Sequence, residues 1–153
     1  RVAAFGYWAG YAGAAVSLKV WSAQVGGGIC TPVDIFADKT ALQENIASEL
    51  DATGRSRPNA IVIGALGRVG TGASDLCESV GVAVTRWDMA ETAHGGPYPE
   101  ILEHELFINC ILATPDTPEF VPRSAMNVPR RLAVVGDIAC DPDSDYNPVT
   151  LYS

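Results

Sequence analysis

Glycines at positions 64, 67 and 70 follow directly on the apolar run Ala60-Ile61-Val62-Ile63, and an acid, Asp88, stands 24 residues after the first of them. The β-branched run reads as a strand, the glycines as a tight turn, and the residues to about Val80 as a helix. Such a turn presents unsatisfied backbone N–H groups and the positive end of a helix dipole to an anion. Gly64 permits the sharp exit from the strand. Gly67 lets N–H groups approach a pyrophosphate without a Cβ in the way, and Gly70 lets the helix pack closely on the strand. Asp88 closes the next apolar run, Val82 to Trp87, at the position where a carboxylate accepts both hydroxyls of an adenosine ribose. The same charge would repel a 2′-phosphate, which favours NAD over NADP unless the nearby Arg86 turns towards the pocket. An acid after a second strand also suits the ribose of S-adenosylmethionine, but the 64/67/70 spacing favours the dinucleotide.

The rest of the chain offers little catalytic chemistry. His94 lies in a glycine-rich loop and reads as a solvated residue; His104, in Glu103-His104-Glu105, reads as a helix-surface residue. Neither has a Ser or Cys nucleophile beside it. Lysine occurs only at positions 19 and 39, neither at a strand end, so no acid–base pair for an amine dehydrogenation stands out, and no catalytic residue is assigned. Asp141, Asp143 and Asp145 alternate but lack the Gly and closing Glu of a calcium loop, and no metal site is expected. Cys30, Cys77, Cys110 and Cys140 show no zinc spacing and no C-x-x-C pair, which favours reduced thiols and a cytoplasmic setting.

These residues need a scaffold to position them. At 153 residues the chain is long enough for a real core, and a net charge of −8 excludes general attraction to nucleic acid or to an anionic membrane. A dinucleotide must then be held by local donors. The uncharged run from Val2 to Leu18 is shorter than the roughly 20 residues of a membrane span, and residues 1–24 read instead as a helix. Its Gly6, Gly10 and Ala14, with Gly13 beside them, form a face that permits close helix approach. A face of this kind belongs between two larger bodies. The chain therefore reads as a piece of something longer, with a linking helix at 1–24, a connector and helix at 25–58, and the nucleotide domain at 59–153. If the first helix stood alone, its apolar face would favour a homodimer. Leu106 to Leu112 and Leu132 to Asp137 are further strands buried on both faces. Strands alternating with helices give an α/β fold, a Rossmann-like parallel sheet with flanking helices, whose ligands gather at the carboxyl ends of the strands.

Several longer stretches carry a resemblance. Arg1-Val2-Ala3-Ala4-Phe5-Gly6, Ile63-Gly64-Ala65-Leu66-Gly67-Arg68, Arg86-Trp87-Asp88-Met89 with Glu91-Thr92, Gly95-Gly96-Pro97, Phe107-Ile108-Asn109-Cys110-Ile111, Asp137 and Asn147-Pro148 occur in an order that resembles the NAD-dependent, lysine-forming saccharopine dehydrogenases, within the alanine dehydrogenase and transhydrogenase-like group. The resemblance implies an enzyme of lysine biosynthesis by the aminoadipate route. It would cleave saccharopine oxidatively to L-lysine and 2-oxoglutarate, with NAD taking the hydride. It further implies that Gly64, Gly67, Arg68, Gly70, Asp88, Thr92 and Leu112 line the NAD site, that Arg1 reaches the phosphates, and that Gly136 lies beside the nicotinamide. Phe5, Asp137, Ile138 and Ala139 would face saccharopine. The catalytic lysine and histidine of such enzymes would lie in a first domain upstream of Arg1, so this chain alone is expected to be inactive. Three positions depart from the pattern: Val69 stands where relatives often have cysteine, Leu112 where they have tyrosine, and Ala139 where they have serine. A related amino-acid dehydrogenase and a non-catalytic NAD-binding module are the other readings.

Overall fold

A computed structural model describes residues 5–141 and 143–149. Within them four short parallel strands form one sheet in the order β2-β1-β3-β4: β1 Asn59–Ile63, β2 Ala83–Trp87, β3 Leu106–Asn109 and β4 Val134–Asp137. Three helices, α1 Phe5–Val25, α2 Lys39–Ala52 and α3 Arg68–Ser79, share a core with one face of the sheet. The other face is covered by two 3₁₀ turns, Pro99–Glu103 and Arg123–Asn127, and by loops. The expected α/β parallel architecture is therefore present, with strands shorter than the apolar runs suggest. β3 stops at Asn109, because Asn109 Oδ1 accepts the N–H of Ile111 and turns the chain out of the ladder.

β1 sits between β2 and β3, so the strand order reverses direction beside it. That is where a crevice opens at the carboxyl ends of a doubly wound sheet. β1 and β3 are buried at nearly every position, and their alternate residues feed the two cores. Ala60, Val62, Leu106 and Ile108 face the helices, while Ile61, Ile63 and Phe107 face Tyr98, Ile101 and Phe120. α2 starts where its sequence says it should. Asp38 caps it by accepting the N–H of Ala41 at 2.9 Å, and Gly54, at φ +65°, ends it just beyond Thr53.

The small residues of α1 are used inside the chain. A Cβ at Gly10 would lie 1.8 Å from the carbonyl oxygen of Val69, and one at Gly72 of α3 would lie 1.9 Å from that of Tyr7, so the two backbones touch. Gly13 receives the side chain of Ile138, and Ser17 packs on Gly136 of β4, where a Cβ would fall 2.2 Å from the serine Oγ. Tyr7 adds a hydrogen bond, its hydroxyl donating to Asp75 of α3 at 2.7 Å. α3 and β4 of the same chain thus occupy the glycine face that a second copy or another body was expected to cover. The large apolar side chains that α1 leaves exposed are Phe5, Trp8 and Val16. No helix among the described residues is long and apolar enough to cross a membrane.

Candidate functional site

The turn between β1 and α3 is tied to its neighbours by backbone bonds. The N–H groups of Gly64 and Ala65 both donate to the carbonyl of Trp87 at the end of β2, at 2.9 and 3.0 Å. Gly64 has φ +85°, and a Cβ there would come within 3.0 Å of the Cys110 backbone beyond β3. Both the turn and the close approach at the switch point therefore require glycine. Gly70 is needed for packing, since its Cβ would fall 2.1 Å from the Gly64 oxygen.

Gly67 is different. Its φ is −74°, open to any residue, and the nearest atom to a Cβ would be 3.4 Å away. Nothing in the protein's own packing demands glycine there. It is the N-cap of α3 and supplies no side-chain cap, so the first-turn N–H groups have no acceptor within their helix. Arg68, at the first helical position, is exposed and makes no ion pair among the described residues. A cation at the positive end of a helix costs roughly 0.3–1 kcal/mol. An uncapped turn, a glycine without an internal reason and an unpaired cation together fit the phosphates of a dinucleotide.

Asp88 stands across this turn as expected, at the end of β2, and its carboxylate is held rather than loose. Oδ2 accepts the N–H of Leu66 at 2.9 Å and Oδ1 that of Met89 at 2.9 Å, which begins the short helix α4, Met89–Thr92. Glu91 reciprocates by accepting the Asp88 N–H at 2.7 Å, closing a capping box. Thr92 donates its hydroxyl to the Asp88 carbonyl at 3.0 Å, which leaves its oxygen as an acceptor. Arg86 turns away from this rim. Its guanidinium lies 2.7 Å from Glu78 on α3 and holds that carboxyl below its ordinary value. The condition under which NADP would have been accommodated is therefore not met in this conformation.

At the β3–β4 end, Asn109 is buried and donates from Nδ2 to Asp137 Oδ1 at 2.9 Å. Asp137 Oδ2 is buried with no partner, and burial pushes this carboxyl above its ordinary value. Burial likewise pushes the Cys110 thiol up to about 12, with the neighbouring Asp137 adding to the effect. A thiol held this high is almost wholly protonated at neutral pH. Ile138 directs its side chain into Gly13 of α1, so it can offer a ligand chiefly backbone. Gly136 faces Ser17, and its lack of a side chain is already explained by α1 packing. Ala139 is half-buried in the turn after β4. Leu112 is 78% exposed and Phe5 76% exposed. Arg1 lies outside the described residues.

The structure thus gathers Gly64, Gly67, Arg68, Gly70, Asp88 and Thr92 at one end of the sheet's carboxyl edge and Asp137, Ile138 and Ala139 at the other. Leu112 stands free of both. Three participants escape a reading by spacing: Glu91, Asn109 and the Glu78–Arg86 pair. Glu91 had a signal, three residues after Asp88 as a capping box requires. Asn109 had a weaker one, as the lone polar residue in an apolar run. Metal-competent clusters of His, Cys, Asp or Glu are absent among the described residues.

No protein-family model matches the chain. Among curated proteins, the chain is similar over its whole length to saccharopine dehydrogenase (NAD+, L-lysine-forming) of Schizosaccharomyces pombe, with 40% identity over 163 residues, which is 44% of that protein. The corresponding protein of Neurospora crassa is 41% identical over 162 residues, 43% of its length. That of Candida albicans is 36% identical over 172 residues, covering 99% of this chain and 45% of the relative. The chain therefore spans less than half the length of the curated relatives it matches.

Proposed function

We propose, since this chain belongs by sequence to the NAD-dependent, lysine-forming saccharopine dehydrogenase family, that it is the NAD-binding part of an oxidoreductase that cleaves saccharopine to L-lysine and 2-oxoglutarate. The observation that carries the reading is the uncapped α3 N-terminus at Gly67, faced by an Asp88 carboxylate locked at 2.9 Å on the Leu66 N–H.

In this reading bound NAD supplies the hydride acceptor. The first-turn N–H groups of α3 and the Arg68 guanidinium hold its phosphates, with Arg1 as a further phosphate contact. Gly67 keeps that approach clear, and Gly64 and Gly70 shape the turn. Asp88 accepts the ribose hydroxyls while Leu66 and Met89 keep its oxygens aimed at the rim, and Thr92 offers an acceptor beside it. Further along the edge, Gly136 lies beside the nicotinamide end, Leu112 is a further NAD contact, and Phe5, Asp137, Ile138 and Ala139 face saccharopine. Residues 59–153 form the nucleotide unit, 25–58 the connector and its helix, and 1–24 the link to the rest of the protein, which contributes the acid and base. The free thiols of Cys30, Cys77, Cys110 and Cys140 go with a cytoplasmic setting.

The test is calorimetric titration with NAD, NADP and S-adenosylmethionine, for the wild type and for Asp88→Ala. Saturable NAD binding that the variant weakens supports the site. Binding of S-adenosylmethionine in its place would overturn it. Turnover of saccharopine with NAD by the full-length protein then separates the enzyme from a module that only binds the nucleotide.

A further inference from the structure

The second strand carries a cation two residues before the acid that faces the ribose. Arg86 shares the helix-side face of β2 with Val84, and Asp88 follows about 7 Å further along the strand by ordinary strand rise. An extended arginine covers that span. Its guanidinium nevertheless points the other way. α3 runs back across the sheet from the phosphate turn, so Glu78, ten residues into the helix, lies roughly 15 Å from Arg68, towards the amino ends of the strands. There it takes Arg86 at 2.7 Å, and Asp75, one turn earlier on α3, adds to the attraction. The pair is half-exposed on both sides. Exposed pairs of this kind hold a side chain only modestly.

We propose that Glu78 is a positioning residue for cofactor choice: by docking Arg86 against α3 it keeps from the ribose rim the one cation of β2 that could receive a 2′-phosphate. Asp88 then faces that rim with no ion pair among the described residues. This rests on the NAD reading above. Discrimination against NADP accordingly has two parts, repulsion by Asp88 and sequestration of Arg86 by a residue outside the pocket. Neither part requires Glu78 to touch the nucleotide.

Dissociation constants for NAD and NADP, measured by calorimetry on the full-length protein, test this in the wild type, Glu78→Gln, Arg86→Gln and the double variant. In Glu78→Gln, NADP binding should tighten about three- to tenfold, the scale of releasing one weak ion pair and forming one charge-assisted hydrogen bond to the phosphate, with NAD affinity unchanged. The gain should vanish in the double variant, and Glu78→Asp, which keeps the charge, should behave as wild type. Unchanged NADP affinity in Glu78→Gln would overturn the proposal. So would a gain that survives in the double variant, since loss of one negative charge would then suffice. A wild type that binds NAD while Glu78→Gln shows no NADP effect sinks this inference alone; a wild type that binds no NAD sinks the reading beneath it as well.

Discussion

The two ends of the sheet's carboxyl edge are built differently. At the β1–α3 end, each oxygen of the Asp88 carboxylate accepts a backbone N–H, Glu91 closes the cap behind it, and the turn is tied to β2 by two backbone bonds. At the β3–β4 end, one Asp137 oxygen is buried without a partner, and Leu112 and Phe5 stand largely in solvent. The first half completes itself with residues close in sequence. The second has one buried polar atom without a hydrogen-bond partner and apolar side chains that no described residue covers. α1 backs both halves, with Gly10 on α3 and Gly13 and Ser17 on the β4 end, so the spacing between them depends on one helix.

That contrast can be broken outright at the contact between α1 and α3. Gly10→Ala places a methyl 1.8 Å from the Val69 oxygen, and neither backbone can yield without lifting α1. Urea denaturation should show a loss of about 3 kcal/mol or more, with both halves of the site disturbed together. Gly67→Ala sharpens the comparison from the other side: its methyl meets little protein, so stability should shift by less than about 1 kcal/mol, while NAD affinity falls in calorimetry. A Gly67→Ala protein that binds NAD as wild type would show that the turn is only a turn.

Asp88→Ala should weaken NAD by about ten- to a hundredfold, the scale of a lost charge-assisted contact. It should also loosen α4, whose cap is worth about 1 kcal/mol. For the other half the informative variable is pH. Burial raises Asp137 above its ordinary value, so the folded state favours its neutral acid. That contribution is full below the ordinary carboxylate range and is lost as pH rises through the raised folded value. The stability of the wild type, followed by urea midpoints, should therefore fall relative to Asp137→Asn as pH is raised from 4 to 7. Parallel pH profiles would show that this carboxyl is not strained by burial. The smallest effect belongs to Leu112→Ala, which at 78% exposure should change stability by less than about 0.5 kcal/mol.

How much of this was legible beforehand follows the same division. The glycine turn, the helix it opens and the acid at the end of β2 are local patterns, and each appears where its spacing placed it. The small-residue face of α1 was visible too, but not its partner. Spacing suggested a contact with another body or a second copy, whereas α3 and β4 of the same chain fill it. The run from Leu106 to Leu112 misled about strand length, because periodicity carries no sign that Asn109 would fold back on the Ile111 N–H.

Local patterns were therefore enough for the strand–turn–helix unit, the α/β class and the acid at the end of β2, because those depend on residue types a few positions apart and on backbone conformations that glycine adopts most readily. Which way Arg86 points, that Gly136 packs against Ser17 of α1, and that Asp137 is half-desolvated beside Asn109 emerged only from the packed chain. Each of these depends on contacts between residues 8 to 119 positions apart. Such contacts arise only when helices and strands settle against one another, and no local pattern encodes them.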